Sequence, residues 1–322
     1  MMRRARRRWA DRVGRQKPRS NMERHVEPLA QEVVIRVLKI PDKYRRFSVS
    51  PVAARRVYGI SDACLSMLLD LGLPCKGVGE AAAFDPLDLE SIALELGLPS
   101  SQMAAMRMWA RSLKGKKVVE REFCEMTLSL HCPEPGHEGA CNFSLGSHLA
   151  TAMGRREPSE SDHVVARVAM SSEICDFDAP FDVVAEEAQQ LIFHRIPGEL
   201  GHDLGFLRET GLADCRSASR RLVQVAAGVG YSARPACGFF IGAPFPCTHA
   251  WFEIRIDERW IAADPFFLNT LHRWNILSHA DWPVARSPQC IVWRLQQAHE
   301  LTMPLARHGN SPMQAVIAAR WL

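Results

Sequence analysis

Residues 211–265 read GLADCRSASRRLVQVAAGVGYSARPACGFFIGAPFPCTHAWFEIRIDERWIAADP, and three side chains within them point to a chemistry. Cys215 stands where a helical pattern begins, over 215–228, after a loop of small residues. A thiol there feels the positive end of the helix dipole and the unbonded N–H groups of the first turn. Strand-like runs follow at 232–241, 248–256 and 259–264. The alternation of HAWFEIRI puts His249, Trp251 and Glu253 on one face of a strand. Asp264 ends the next strand, joined to the first by the tight connection Asp257-Glu258-Arg259. Antiparallel pairing across that hairpin brings His249 and Asp264 together.

These residue types belong together for a physical reason. A thiol of ordinary pKa, near 8.5, is only a few per cent ionised at neutral pH. Shifting that balance by two units takes about 2.7 kcal/mol, which an imidazolium within hydrogen-bond reach and a helix N-terminus can supply. A carboxylate on the other ring nitrogen fixes the tautomer and orientation of the imidazole. The reading is Cys215 as nucleophile, His249 as general base and acid, and Asp264 as orienter, at separations of 34 and 15 residues.

The segment resembles the transglutaminase-like superfamily, whose core carries a Cys-His-Asp triad in this chain order. The matching pieces are Asp214-Cys215 at a helix start, GYSARPACGF over 230–239, HAWFEI over 249–254, Trp260 and Asp264-Pro265. The family has Gly-Asp-Cys or Gly-x-Cys where this chain has Ala213-Asp214-Cys215, and GIPAR where it has Gly230-Tyr231-Ser232-Ala233-Arg234. The resemblance covers about 180–270, a quarter of the chain. It implies an α+β, papain-like core, with a Cys-bearing helix packed on an antiparallel sheet, and it gives Arg234, Trp251 and Trp260 packing roles. It also implies an oxyanion hole made of the Cys215 N–H and a second donor. In some members that donor is an upstream Trp, but no Trp lies between Trp109 and Cys215. Gln189, Gln190 and His202 are the candidates that position alone offers.

Outward from this core, residues 40–115 read as a helical accessory domain. The segments Leu65–Leu71 and Leu87–Leu96 are apolar at helical spacing, and each ends in Gly-Leu-Pro (72–74 and 97–99). Asp85-Pro86 suits an N-cap followed by Pro at the first helical position. The echo of LLDLGLP and ALELGLP reflects similar capping, not a repeat architecture. Residues 117–322 form the catalytic domain, with a β-rich layer at 117–177 carried by Val118–Leu130 and His163–Ile174. A helical pattern runs from Phe181 to Ile196-Pro197-Gly198, and 199–213 reads as a loop before the Cys215 helix.

Charge is uneven. Residues 1–25 hold ten Arg and Lys against Asp11 and Glu23, while the rest of the 322-residue chain carries 30 basic and 34 acidic side chains. The run reads as a basic disordered tail, most of which a start at Met22 would remove. It has no groove-reading motif, and the helical region carries Asp62, Asp70, Asp85, Asp88, Glu90 and Glu95, which argues against nucleic acid as a partner. No stretch approaches 18 apolar residues, so no membrane span is expected. Without an export signal, the ten cysteines read as reduced thiols of a cytoplasmic protein, with Cys64, Cys237, Cys247 and Cys290 as packing residues. Cys132-x4-His137-x3-Cys141, with His131 and Cys124 nearby, has metal-ligand types but lacks the CxxC knuckle. It reads as a Pro/Gly-rich surface loop, and neither metal nor cofactor is expected. No GxGxxG or P-loop occurs, so no nucleotide is implied.

The functional expectation is thioester-mediated acyl chemistry, with a peptide, acyl-thioester or amine as substrate. The first reading is acyl transfer to an amine, forming an amide. By the resemblance, a carrier protein could present the acyl group, as in natural-product assembly. The alternatives are a peptidase or amidase using water, and a scaffold with a vestigial triad. Sequence does not reach the oligomeric state.

Overall fold

The computed structural model describes residues 21–114, 122–133, 136, 141–154, 162–171 and 173–322. The basic run through residue 20 lies outside them. The chain divides into two compact units, Met1–Met106 with Ile192–Asp214, and Arg107–Leu191 with Cys215–Leu322. In this division the segment 192–214 groups with the helical region and not with the rest of 117–322. No described helix is long and apolar enough to cross a membrane.

The first unit is built on helices α1 (Asn21–Leu38), α2 (Pro51–Tyr58), α3 (Asp62–Asp70), α4 (Pro86–Glu95) and the start of α5 (Ser101–Lys114). Helix α1 begins inside the segment 1–25 read as tail. It exists because Ala30, Val33, Val34 and Val37, spaced for one helical face, are all buried against the other helices. Both Gly-Leu-Pro stops close as Schellman motifs. Gly72 N–H donates to Leu69 O and Leu73 N–H to Leu68 O, and Gly97 and Leu98 repeat the pattern on Leu94 and Ala93. Asp85 caps α4 by accepting from the Leu87 and Asp88 N–H groups.

The segment 199–213, read as a loop, holds a short helix and a strand, and the helix from Phe181 does not reach Ile196. That helix ends at Gln190. Strand Ile192–Phe193 then pairs in parallel with Leu212–Ala213, and a seven-residue helix, Leu204–Thr210, lies between them. Asp203 caps its start and Gly211, at φ 70°, its end. Seven residues are too few to show a helical period, so only the caps mark it in the sequence.

His194, in this segment, is 1% exposed, and its Nε2 has no hydrogen-bond partner among the described residues. Burial, reinforced by the nearby positive charges of Arg36 and Arg45, pushes its pKa down to about 3. A histidine held neutral in the fold refuses a proton that the unfolded chain takes up below pH 6.5. Stability therefore falls as pH drops from about 6.5 toward 3, by about 2 kcal/mol at pH 5. Urea unfolding at pH 7 and pH 5 checks this. The loss should shrink by about that amount in His194→Asn, and an unchanged pH slope in the variant would exclude His194 as its source.

The second unit carries β1 (Phe123–Leu130), β2 (Phe143–Leu145), α6 (Ser147–Ala152), β3 (His163–Ala169), α7 (Phe181–Gln190), α8 (Cys215–Gly228), β4 (Ala233–Phe240), β5 (Cys247–Ile256), β6 (Arg259–Ala263), α9 (Pro265–Arg273), β7 (Val292–Gln296), β8 (Ala306–His308), β9 (Ser311–Met313) and β10 (Ala315–Trp321). Strands β6-β5-β4-β7 form a four-stranded antiparallel sheet. Helix α8 lies on it, with Ser219 Oγ donating to Trp251 O at 2.6 Å. Arg221 of α8 pairs with Glu187 of α7 at 2.7 Å. The β-rich layer extends beyond 117–177, because β1 pairs with both β3 and the C-terminal β10, and β2 pairs with β8. Cys124, Met126, Leu128 and Leu130 alternate into its core.

Candidate active site

Cys215 is the first residue of the 14-residue helix α8 and is partly exposed. His249 projects from β5, directly opposite Gly238 of β4. The absence of a side chain at Gly238 fits the crowding there: a Cβ would lie 2.1 Å from Trp293 O of β7. The His249 ring is held by aromatic neighbours. Phe240 meets it edge-on at 5.8 Å, Phe267 lies at 5.1 Å, and Trp251 stacks at 6.2 Å.

Asp264 closes β6 and caps α9. Its Oδ1 accepts from the Phe267 N–H at 3.1 Å, and its Oδ2 lies 2.5 Å from His249 Nε2. One carboxylate therefore fixes a helix start with one oxygen and an imidazole with the other. His249 is also hydrogen-bonded to Cys215. With Nε2 engaged by Asp264, Nδ1 is the ring nitrogen left for the thiol. Burial works against a charged His249, but Asp264 and Cys215 outweigh it and push its pKa up to about 10. The three residues read from sequence are thus brought together, with His249 and Asp264 buried and Cys215 partly exposed.

The packing residues gain definition. Arg234 stacks on Trp260 at 4.0 Å and pairs with Glu253 at 2.6 Å, while Arg294 reaches the same Glu253 at 3.1 Å. This network lies on the face of the sheet that carries His249. Gln189 and Gln190 are exposed at the end of α7, and His202 is exposed in the other unit.

Two contributors escaped the sequence. Trp109 of α5 packs on Phe240 at 5.4 Å and Phe267 at 6.0 Å, the same rings that flank His249. Its Nε1 donates to Phe245 O, and a Cβ at Gly242 would fall 1.8 Å from its ring. The second is the segment after β7. Glu300 pairs with Arg216, the residue following Cys215, at 3.3 Å, and His299 Nδ1 lies 3.4 Å from Ser219 Oγ. Residues 299 and 300 therefore run beside the first turns of α8. Neither contributor has a local signature, since the contacts span 136 and 84 residues.

No family model and no curated protein matches the chain. A crystal structure described as "a Putative Cysteine Protease from Cytophaga hutchinsonii" is similar over 54% of this chain, at 14% identity and a TM-score of 0.31. The chain spans about half, 49%, of that protein's length. At that score the likeness carries no argument, so the functional reading rests on the geometry of Cys215, His249 and Asp264.

Proposed function

We propose that the protein is a cysteine enzyme with a papain-like, transglutaminase-type core that carries an acyl group on Cys215 as a thioester and passes it to an amine. The observation that supports this reading is the chain of contacts from the helix-leading Cys215 through His249 to Asp264. A His249 that holds its proton beside a thiol favours the thiolate–imidazolium pair. The thiolate adds to an acyl carbonyl, and the oxyanion is received by backbone N–H groups at the head of α8. On collapse, His249 gives its proton to the departing thiol or amine, leaving a thioester on Cys215. The incoming amine attacks that thioester, His249 takes the amine's proton, and Cys215 leaves as thiolate. Atoms and charge balance without a cofactor.

The test has two stages. Brief iodoacetamide treatment at pH 6 should label Cys215 well before the other thiols. Burial keeps the competitors protonated, pushing Cys64 and Cys124 to about 11 and, with Glu300 and Cys215 adding negative charge nearby, Cys237 to about 12. Intact-protein mass after mixing with acyl-thioester and glutamine-peptide panels should then show an adduct on the wild type and none on Cys215→Ala. Discharge faster with an added amine than without identifies a transferase, and discharge by water alone identifies a peptidase or amidase. Uniform labelling of the ten thiols together with no adduct would leave the scaffold reading standing.

A further inference from the structure

We propose that Cys132, Cys141 and His308 form a zinc-binding site that staples the β-rich layer, independent of the chemistry at Cys215. The three residues come from separate places in the chain. Cys132 follows β1, Cys141 precedes β2, and His308 ends β8. Their ligand atoms, two sulfurs and one ring nitrogen, all lie within 4.8 Å of one another. Cys132 Sγ is 3.9 Å from His308 Nε2. With Zn–S about 2.3 Å and Zn–N about 2.0 Å, tetrahedral ligation sets sulfur–nitrogen separations near 3.5 Å. The Cys132–His308 pair is within about half an ångström of that separation, and the 4.8 Å bound leaves Cys141 to close by about one ångström at most.

The surroundings are built to hold this arrangement. Phe143 pairs with His308 across the β2–β8 ladder, and their rings lie 5.4 Å apart, which orients the imidazole. The Gly309 N–H donates to Asn142 O at 2.8 Å, tying the neighbours of His308 and Cys141 together. Cys132 and Cys141 pack against the buried cluster that contains Leu130, Phe143 and Leu145, so the ligand positions are anchored in the core. Two soft thiolates and an imidazole select zinc over magnesium or calcium, which prefer oxygen, and fall short of the four cysteines of an iron–sulfur cluster. The partly exposed setting leaves the fourth position to water. Binding forms two Zn–S bonds and one Zn–N bond and releases the two thiol protons to solvent, with nothing oxidised or reduced. The sequence argued against a metal because it sees Cys132 and Cys141 without a CxxC knuckle. The residue that completes the set is 176 positions from Cys132.

The experiment is metal analysis of the full chain expressed with zinc in the medium, followed by cobalt(II) titration of the metal-stripped protein. The expected result is about one zinc per chain and, with cobalt, intense tetrahedral ligand-field bands plus a thiolate charge-transfer band. Cys132→Ser, Cys141→Ser and His308→Ala should each lose zinc affinity by more than about 100-fold, while Cys215→Ala and Cys75→Ser keep it. Absence of zinc together with a cobalt spectrum lacking the thiolate band overturns the proposal, even if a ligand variant fails to fold. Retention of full affinity in Cys132→Ser, or a Cys132–Cys141 disulfide in wild-type peptide maps, overturns it as well.

Discussion

On the proposed function, replacing His249 by Gln is expected to lower turnover by about 10²- to 10⁴-fold and to slow alkylation of Cys215 at pH 6 by about 100-fold. His249 is the one group that touches both other members of the cluster: Nε2 meets Asp264, and the ring is hydrogen-bonded to Cys215. Glutamine keeps polar atoms near that position but cannot carry the positive charge that balances a thiolate. It also leaves Asp264, only 6% exposed, without its cationic partner. Removing one member of a buried ion pair costs about 3–5 kcal/mol, so the variant should also unfold at lower denaturant. Those two losses come apart with pH. His249 has a folded pKa raised from 6.5 to about 10, so its contribution is fully present below pH 6.5 and is lost as pH rises through about 10. The stability gap between wild type and variant should be wide at pH 6 and close by pH 10. A constant gap across that range would mean that packing, not charge, ties His249 into the fold.

The meeting of Cys215, His249 and Asp264 was legible because each of the three positions has a local cause. A helix start after small residues marks Cys215, and a three-residue connection between two alternating strands forces His249 and Asp264 to the same end of a hairpin. The Gly-Leu-Pro helix stops were legible for the same reason, since Leu73 and Leu98 need only their own helix to close the motif. What sequence missed depends on distant partners. Trp109 sits in the long Ser101–Lys114 helix, where nothing nearby says that it will reach Phe240, Phe267 and Gly242. The strands that complete the β-rich layer come from beyond residue 305, and only tertiary packing reveals them. Helix α1 is a different case. Ala30, Val33, Val34 and Val37 have the spacing of one buried helical face, but the dense charge just before them hides its start in the sequence.

Asp264→Asn isolates the orienting carboxylate and should cost turnover about 10²- to 10⁴-fold while leaving the sheet and α8 in place. The reason is a shortage of oxygens. The carboxylate accepts from the Phe267 N–H through Oδ1 and meets His249 Nε2 through Oδ2, so both oxygens are in use. An asparagine has one oxygen and one NH2. If its oxygen keeps the helix cap, the NH2 faces Nε2, donates to it, and forces the ring proton onto the nitrogen aimed at Cys215. A neutral imidazole in that tautomer cannot accept the thiol proton. If the oxygen turns to His249 instead, the tautomer survives but α9 loses its cap, at about 1 kcal/mol. Both arrangements also remove the negative charge that holds the His249 proton. The two outcomes separate cleanly. Both share the loss of the ion pair, so a midpoint lowered no further than in His249→Gln with collapsed activity means the cap was kept, whereas a midpoint lowered by about 1 kcal/mol more with partial activity means the histidine bond was kept. Because His249 and Asp264 act through one proton, His249→Gln combined with Asp264→Asn should be little worse in turnover than His249→Gln alone. Fully additive losses in that double variant, or full turnover in Asp264→Asn, would remove Asp264 from the mechanism.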